Sequence, residues 1–152
     1  MKIKIDSLES IEVKQLLQEH HEDMLKHSPP ESVHALDLSS LKAADVTFWT
    51  AWIDGELAGC GALKKLSDKH AELKSMRTAK NFLRKGVAAK LLTLMLDCAK
   101  SQYFEKVSLE TGTMDAFIPA QNLYKSFGFH VCQPFSNYQE DPYSMFLTKA
   151  IR

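Results

Sequence analysis

The sequence predicts one α/β domain with a hairpin-rich antiparallel half, and three observations carry that expectation. VTFWTAWIDGELAGCGAL places Asp54-Gly55, a favoured two-residue turn, between runs rich in β-branched and aromatic residues. Residues 86–100 are apolar or small except at Lys90, Thr93, Asp97 and Lys100, which draw a single polar stripe along a helix. The rest of that helix needs cover, which a sheet supplies. At 152 residues the chain is long enough for one core, and no repeat, low-complexity segment or linker divides residues 1–152.

Each element follows from local pattern. Residues 2–6 alternate apolar and charged positions and predict a short strand. Leu8, Ile11, Leu16, Leu17, Met24 and Leu25 recur at mostly helical spacing, so a helix spans 8–27 and stops at Ser28-Pro29-Pro30. A short helix is expected around 31–43. After the hairpin, Ser67-Asp68-Lys69 turns the chain into a strand over 70–78, which makes three consecutive antiparallel strands. Alternation along that strand puts Glu72, Lys74 and Met76 on one face and Ala71 and Leu73 on the other. KVSLET, 106–111, is a strand. Residues 115–127 form a helix with Pro119 in its first turn and Gly128 at its stop. Residues 129–132 and 144–148 close the sheet.

Composition removes several function classes. Lys+Arg and Asp+Glu both number 19, so no bulk field draws the chain to nucleic acid or an anionic membrane. No run approaches the ~18 apolar residues of a membrane span. MKIKIDSLES lacks the apolar core of a signal peptide. Cys60, Cys98 and Cys132 are widely spaced and odd in number, which fits reduced thiols in the cytoplasm rather than disulfides or a zinc site. Cys98 is expected in the core of its helix, and Cys60 and Cys132 in strands. HHEDMLKH, 20–27, is expected to be a solvated helix face rather than a metal site.

The chemistry concentrates in KSMRTAKNFLRKGVAAKLLTLML, 74–96. A helix start exposes unpaired N–H groups and the positive end of the dipole, so it favours phosphate. Gly86 permits close backbone approach, Ala88 adds little bulk, and Arg84 and Lys85 add charge. Taken alone, the stretch reads equally as a diphosphate cradle or as a basic loop before a packed helix. It is not a Walker loop, whose Gly-x-x-x-x-Gly-Lys-Ser/Thr spacing is absent.

With AQNLYKSFGF at 120–129, the stretch resembles the GCN5-related N-acetyltransferase (GNAT) superfamily. The family loop is Gln/Arg-x-x-Gly-x-Gly/Ala; Gly86 and Ala88 meet it, while Leu83 stands where Gln or Arg is usual. The second signature, Ala-x-x-Leu-Tyr-x-x-x-Gly-Phe, is met by Ala120, Leu123, Tyr124, Gly128 and Phe129, with Phe117 where Asn is common.

The resemblance implies a mixed, mostly antiparallel central sheet with splayed central strands flanked by helices. It implies acetyl-CoA as co-substrate and no metal. The pyrophosphate would lie on Arg84, Lys85, Gly86, Val87, Ala88 and Ala89, and the pantetheine arm on backbone groups of Met76 and Thr78. Acyl transfer to an amine needs a neutral amine, a stabilised oxyanion and a proton for the leaving thiolate. By the same resemblance Tyr124 is the acid, Glu72 the base and Glu110 its rival. At an ordinary pKa of about 10, Tyr124 keeps its proton at neutral pH; packing alone is the competing reading of its ring.

The acceptor would be a primary amine of a small molecule or peptide. It would be met by loops 28–34 and 134–143, where Glu31, His34, Tyr138, Glu140 and Asp141 are polar as surface loops generally are. Homodimers are frequent in the family. The alternative to catalysis is a non-catalytic acyl-CoA-binding module.

Overall fold

A computed structural model describes residues 1–34 and 37–152. The chain runs β1 (Lys2–Ile5), α1 (Ile11–His27), the one-turn α2 (Leu38–Leu41), β2 (Val46–Ile53), β3 (Glu56–Lys65) and β4 (His70–Thr78). It continues through α3 (Val87–Ser101), β5 (Lys106–Gly112), α4 (Ile118–Ser126), β6 (His130–Val131) and β7 (Ser144–Ala150). The strands form one sheet in the order β1-β2-β3-β4-β5-β7-β6. Among the described residues only the β4–β5 pair is parallel, so the α/β, mostly antiparallel expectation holds. No helix is long and apolar enough to cross a membrane among the described residues.

Local chemistry explains most boundaries. Ser10 caps α1 by accepting from the Val13 N–H at 3.3 Å, which starts the helix later than its apolar pattern does. Asp54 and Gly55 take φ of 50° and 81°, the doubly left-handed geometry that a tight hairpin needs. The expected helix over 31–43 is replaced by a 3₁₀ turn at Pro30–Ser32 and by α2; positions 35 and 36 lie outside the described residues. The expected 115–127 helix opens as a 3₁₀ turn at Asp115–Phe117, because Pro119 lacks the N–H that would extend α4 backwards. Gly128, at φ 93°, ends it. Cys132 falls just past the two-residue β6, although its N–H still reaches the Phe146 carbonyl at 2.9 Å.

The sheet is covered on both faces. Leu91, Leu92 and Met95 of α3 are fully buried with Leu63, Leu73, Val107, Leu109 and Leu147. Each such Leu contributes roughly 1.5–3 kcal/mol by burial. Val13 and Leu16 of α1 and Leu41 of α2 cover the other face with Phe48, Cys60 and Ala62. Cys98 is only half-buried at the edge of α3. A Cβ on Gly59 would lie 2.8 Å from Val87 Cγ1, so this glycine lets the first turn of α3 sit against β3.

Two irregularities shape the site. Ala62 pairs with Lys74 and Cys60 with Arg77, so β4 carries one extra residue there, with Ser75 at φ 56°. This bulge corrects the expected alternation. Glu72 and Lys74 share a face, but Met76 is turned to the α3 side, where it packs near Gly61 and Met95. The second irregularity is that β4 and β5 pair only from His70↔Lys106 to Leu73↔Leu109. Beyond that point β4 continues to Thr78 and β5 to Gly112 without pairing to each other, leaving a strand edge free.

Candidate active site

Where β4 and β5 part, a cleft of about 120 Å³ opens. Glu72, Lys74 and Met76 line it from β4, Glu110 from β5, Tyr124 from α4, and His20 from α1. Tyr138 closes one side of it from the loop between β6 and β7. That loop is held to the loop after α1 by the Ser32 hydroxyl, which donates to Asp141 Oδ2 at 2.5 Å.

The two carboxylates have different surroundings. Glu72 Oε2 accepts from the Tyr138 hydroxyl at 2.6 Å and from Lys74 Nζ at 3.3 Å. Lys74 Nζ also donates to the Tyr138 oxygen at 2.7 Å, and the Lys74 and Glu72 side chains are only 9% and 4% exposed. Glu72 is therefore one corner of a closed, charge-paired triangle. Glu110 has no such cation bonded to it among the described residues. Burial pushes its carboxyl up to about 7, with the nearby Ser144 hydroxyl and then the Lys74 charge pulling the other way. A carboxylate poised there exchanges protons near neutral pH.

Tyr124 is buried, its ring edge-on to Phe129 at 5.9 Å between centroids. Burial raises its pKa above the usual phenol value, so it holds its proton at neutral pH as a donor. The expectation that residues 20–27 form a solvated face fails on one side of α1. His20 is half-buried in the cleft, and burial and then the Arg77 charge lower its pKa to about 4, so it is neutral. Asp23 pairs with Arg77 at 2.6 Å. Phe117 also lines the cleft, packed so closely that a Cβ on Gly112 would meet its ring.

The helix-start feature lies just past the free end of β4. Gly86 is the N-cap of α3 at φ 80°, without a side-chain cap, and no acidic residue occupies the first turn. The Lys90 N–H is bonded to the Gly86 carbonyl at 3.1 Å, so the amides of Val87, Ala88 and Ala89 precede the first bonded turn. A Cβ on Gly86 would meet nothing within 4 Å. Arg84 is exposed, and Lys85 Nζ lies 5.5 Å from the Phe82 ring centroid. Unpaired amides, nearby cations and open space fit a diphosphate. Thr78 ends β4, and the free β4 edge fits an extended chain leading from that diphosphate to the cleft.

Sequence reasoning thus named Tyr124, Glu72, Glu110 and Met76, which one cleft collects. It assigned no role to Lys74, set His20 aside, and left Tyr138 undistinguished among polar loop residues. Tyr138 had one available signal: it sits among Phe135 and Phe146, and a loop that rich in aromatics is packed.

A sheet whose central parallel pair diverges over a carboxylate- and tyrosine-lined cleft, with an uncapped helix start at the end of one diverging strand, defines an acyl-group transferase. A family model described as the acetyltransferase (GNAT) family matches residues 12–129. The chain is 52% identical over 151 residues to the "Uncharacterized N-acetyltransferase YsnE" of Bacillus subtilis strain 168, covering 99% of this chain and 100% of that one. It is 49% identical over 146 residues to the "Uncharacterized N-acetyltransferase YedL" of Escherichia coli K12, covering 96% and 92%. Its fold matches a GNAT family acetyltransferase from Elizabethkingia anophelis, crystallised with acetyl-CoA bound, at TM-score 0.70 and 20% identity over 98% and 97% of the two chains. The chain belongs to the GNAT family and is an acetyltransferase.

Proposed function

We propose that the chain moves the acetyl group of acetyl-CoA to a primary amine of a small molecule or peptide, with Glu110 taking the amine's proton and Tyr124 supplying one to the departing thiol. The observation that carries this is the contrast between the cleft carboxylates. Glu72 is committed to Lys74 and Tyr138, whereas Glu110 is poised at about 7. A base works best with its pKa near the working pH. Acetyl-CoA supplies an activated thioester, and acetyl-CoA in the same-fold Elizabethkingia protein supports that donor.

The residues divide the work. The amides of Val87, Ala88 and Ala89, with Arg84 and Lys85, hold the diphosphate. The backbone of Met76 and Thr78 on the free β4 edge holds the arm that carries the thioester. Glu110 makes the amine neutral, so that its nitrogen bonds to the acyl carbon as the carbon–sulfur bond breaks. Tyr124 protonates the sulfur. His20 stays uncharged, so it adds no positive charge beside the arriving amine. The reading includes a cytoplasmic location, where the three free cysteines stay reduced.

A thiol-release assay with acetyl-CoA and a panel of primary amines tests the whole reading. Thermal stabilisation by CoA without thiol release from any amine would instead indicate a binding module. Tyr124→Phe should lower kcat by roughly 10²-fold, the lower range for a lost general acid, while the CoA dissociation constant stays unchanged. Unchanged turnover removes Tyr124 as the acid.

A further inference from the structure

The geometry points to Tyr138 as the size filter of the acceptor site: a fixed wall that confines the acceptor to the small central cleft, so that the substrate class is short primary amines. This rests on the acetyl-transfer reading above and deepens it. Beyond the wall lies a second cavity of about 390 Å³, set between the loop after α1 and the β6–β7 loop. The two cavities share four lining residues, His34, Glu72, Lys74 and Tyr138. The partition is therefore one residue group thick.

Tyr138 is the pinned member of that group. Its hydroxyl bridges Glu72 at 2.6 Å and Lys74 at 2.7 Å, two oppositely charged groups already paired with each other in near-complete burial. Its ring meets His34, Phe135 and Phe146 at centroid distances of 5.0, 5.1 and 5.5 Å. Phe135 in turn meets Phe146 at 5.9 Å, so the ring stands in a packed aromatic cluster. A side chain held at its tip and along both sides does not swing aside for a ligand. Moving it would break a charge-assisted hydrogen bond and unpack the ring together. An amine with a long tail thus meets the wall, although a space three times the cleft's size lies behind it.

The test is steady-state kinetics over unbranched primary amines from ethylamine to octylamine, for the wild type, Tyr138→Phe and Tyr138→Ala. In the wild type, kcat/KM is expected to fall as the tail lengthens. Tyr138→Ala joins the cavities and should raise the octylamine-to-ethylamine ratio of kcat/KM by roughly tenfold, the low end for relieving one steric exclusion. Tyr138→Phe frees the tip but leaves the ring packed by His34, Phe135 and Phe146, so its ratio should rise far less than that of Tyr138→Ala. Should Tyr138→Ala fail to fold, Tyr138→Leu, which keeps an apolar contact for Phe135 and Phe146, carries the same expectation. Thiol release with the same length dependence in all variants overturns the size filter alone. An equal shift in Tyr138→Phe and Tyr138→Ala also overturns it, since the hydroxyl would then be responsible. Thiol release from no amine, in any of the proteins, overturns the acetyl-transfer reading and this inference with it.

Discussion

Glu110→Gln is expected to lower kcat/KM by about 10²–10⁴-fold, the usual contribution of a general base, and to make the protein more stable at pH 8. The amide has the shape of the carboxylate but cannot accept the amine's proton. In the wild type the acid limb of kcat/KM should have an apparent pKa near 7, because burial raises Glu110 to about that value. The stability effect has a defined sign. The folded-state pKa lies above the ordinary glutamate value of 4.5, so the folded protein binds this proton more tightly than the unfolded chain. The cost of the buried charge is absent below about pH 4.5, grows as pH rises toward 7, and is fully present above it. Glutamine carries no such cost. The gain in melting temperature from Glu110→Gln should therefore be larger at pH 8 than at pH 5. A pH–rate profile and melts at both pH values measure the two effects. Full activity in Glu110→Gln would remove it as the base and leave Glu72, or loss of the proton to solvent before binding.

The parts of the fold that were readable ahead of the structure are those set by neighbours in the chain. Asp54-Gly55 fixes its own hairpin, the four polar residues of α3 fix its exposed stripe, and Gly128 stops α4 through its own φ. The bulge at Ser75 was not readable, since it exists only in the register of β4 against β3. It turned Met76 from the expected face to the opposite one. The choice of base failed to resolve for a similar reason. Glu72 is occupied by Tyr138, 66 residues away, and nothing local distinguishes it from Glu110. His20 was hidden because charges flank it in sequence, while the divergence of β4 from β5 brings the cleft to its side of α1. The helix start before α3 was visible in sequence because its ingredients are local: a glycine, small residues and cations in one run. The two loops expected to meet the acceptor are far apart in the chain and are joined by contacts such as Ser32 with Asp141, which no local pattern announces.

Gly86→Glu is expected to weaken CoA binding by roughly a hundredfold or more, ~2.7 kcal/mol, while the protein remains folded. The backbone there has φ 80°, a left-handed geometry that costs an ordinary residue about 1–2 kcal/mol. That cost is partly offset, because a carboxylate beside the first turn of α3 interacts favourably with the helix dipole. No atom lies within 4 Å of the position a Cβ would take, so the new side chain forces nothing in the protein to move. It extends instead into the open space over the amides of Val87, Ala88 and Ala89, where it competes with the diphosphate by bulk and repels it by charge. Gly86→Ala separates the two contributions: it carries the same backbone strain without the carboxylate, and should lose far less affinity. Calorimetric titration of CoA into the three proteins, with melting temperatures as the folding control, measures both. Equal affinity in the wild type and Gly86→Glu would mean that the diphosphate does not sit at this helix start, and that Arg84 and Lys85 belong to an ordinary basic loop.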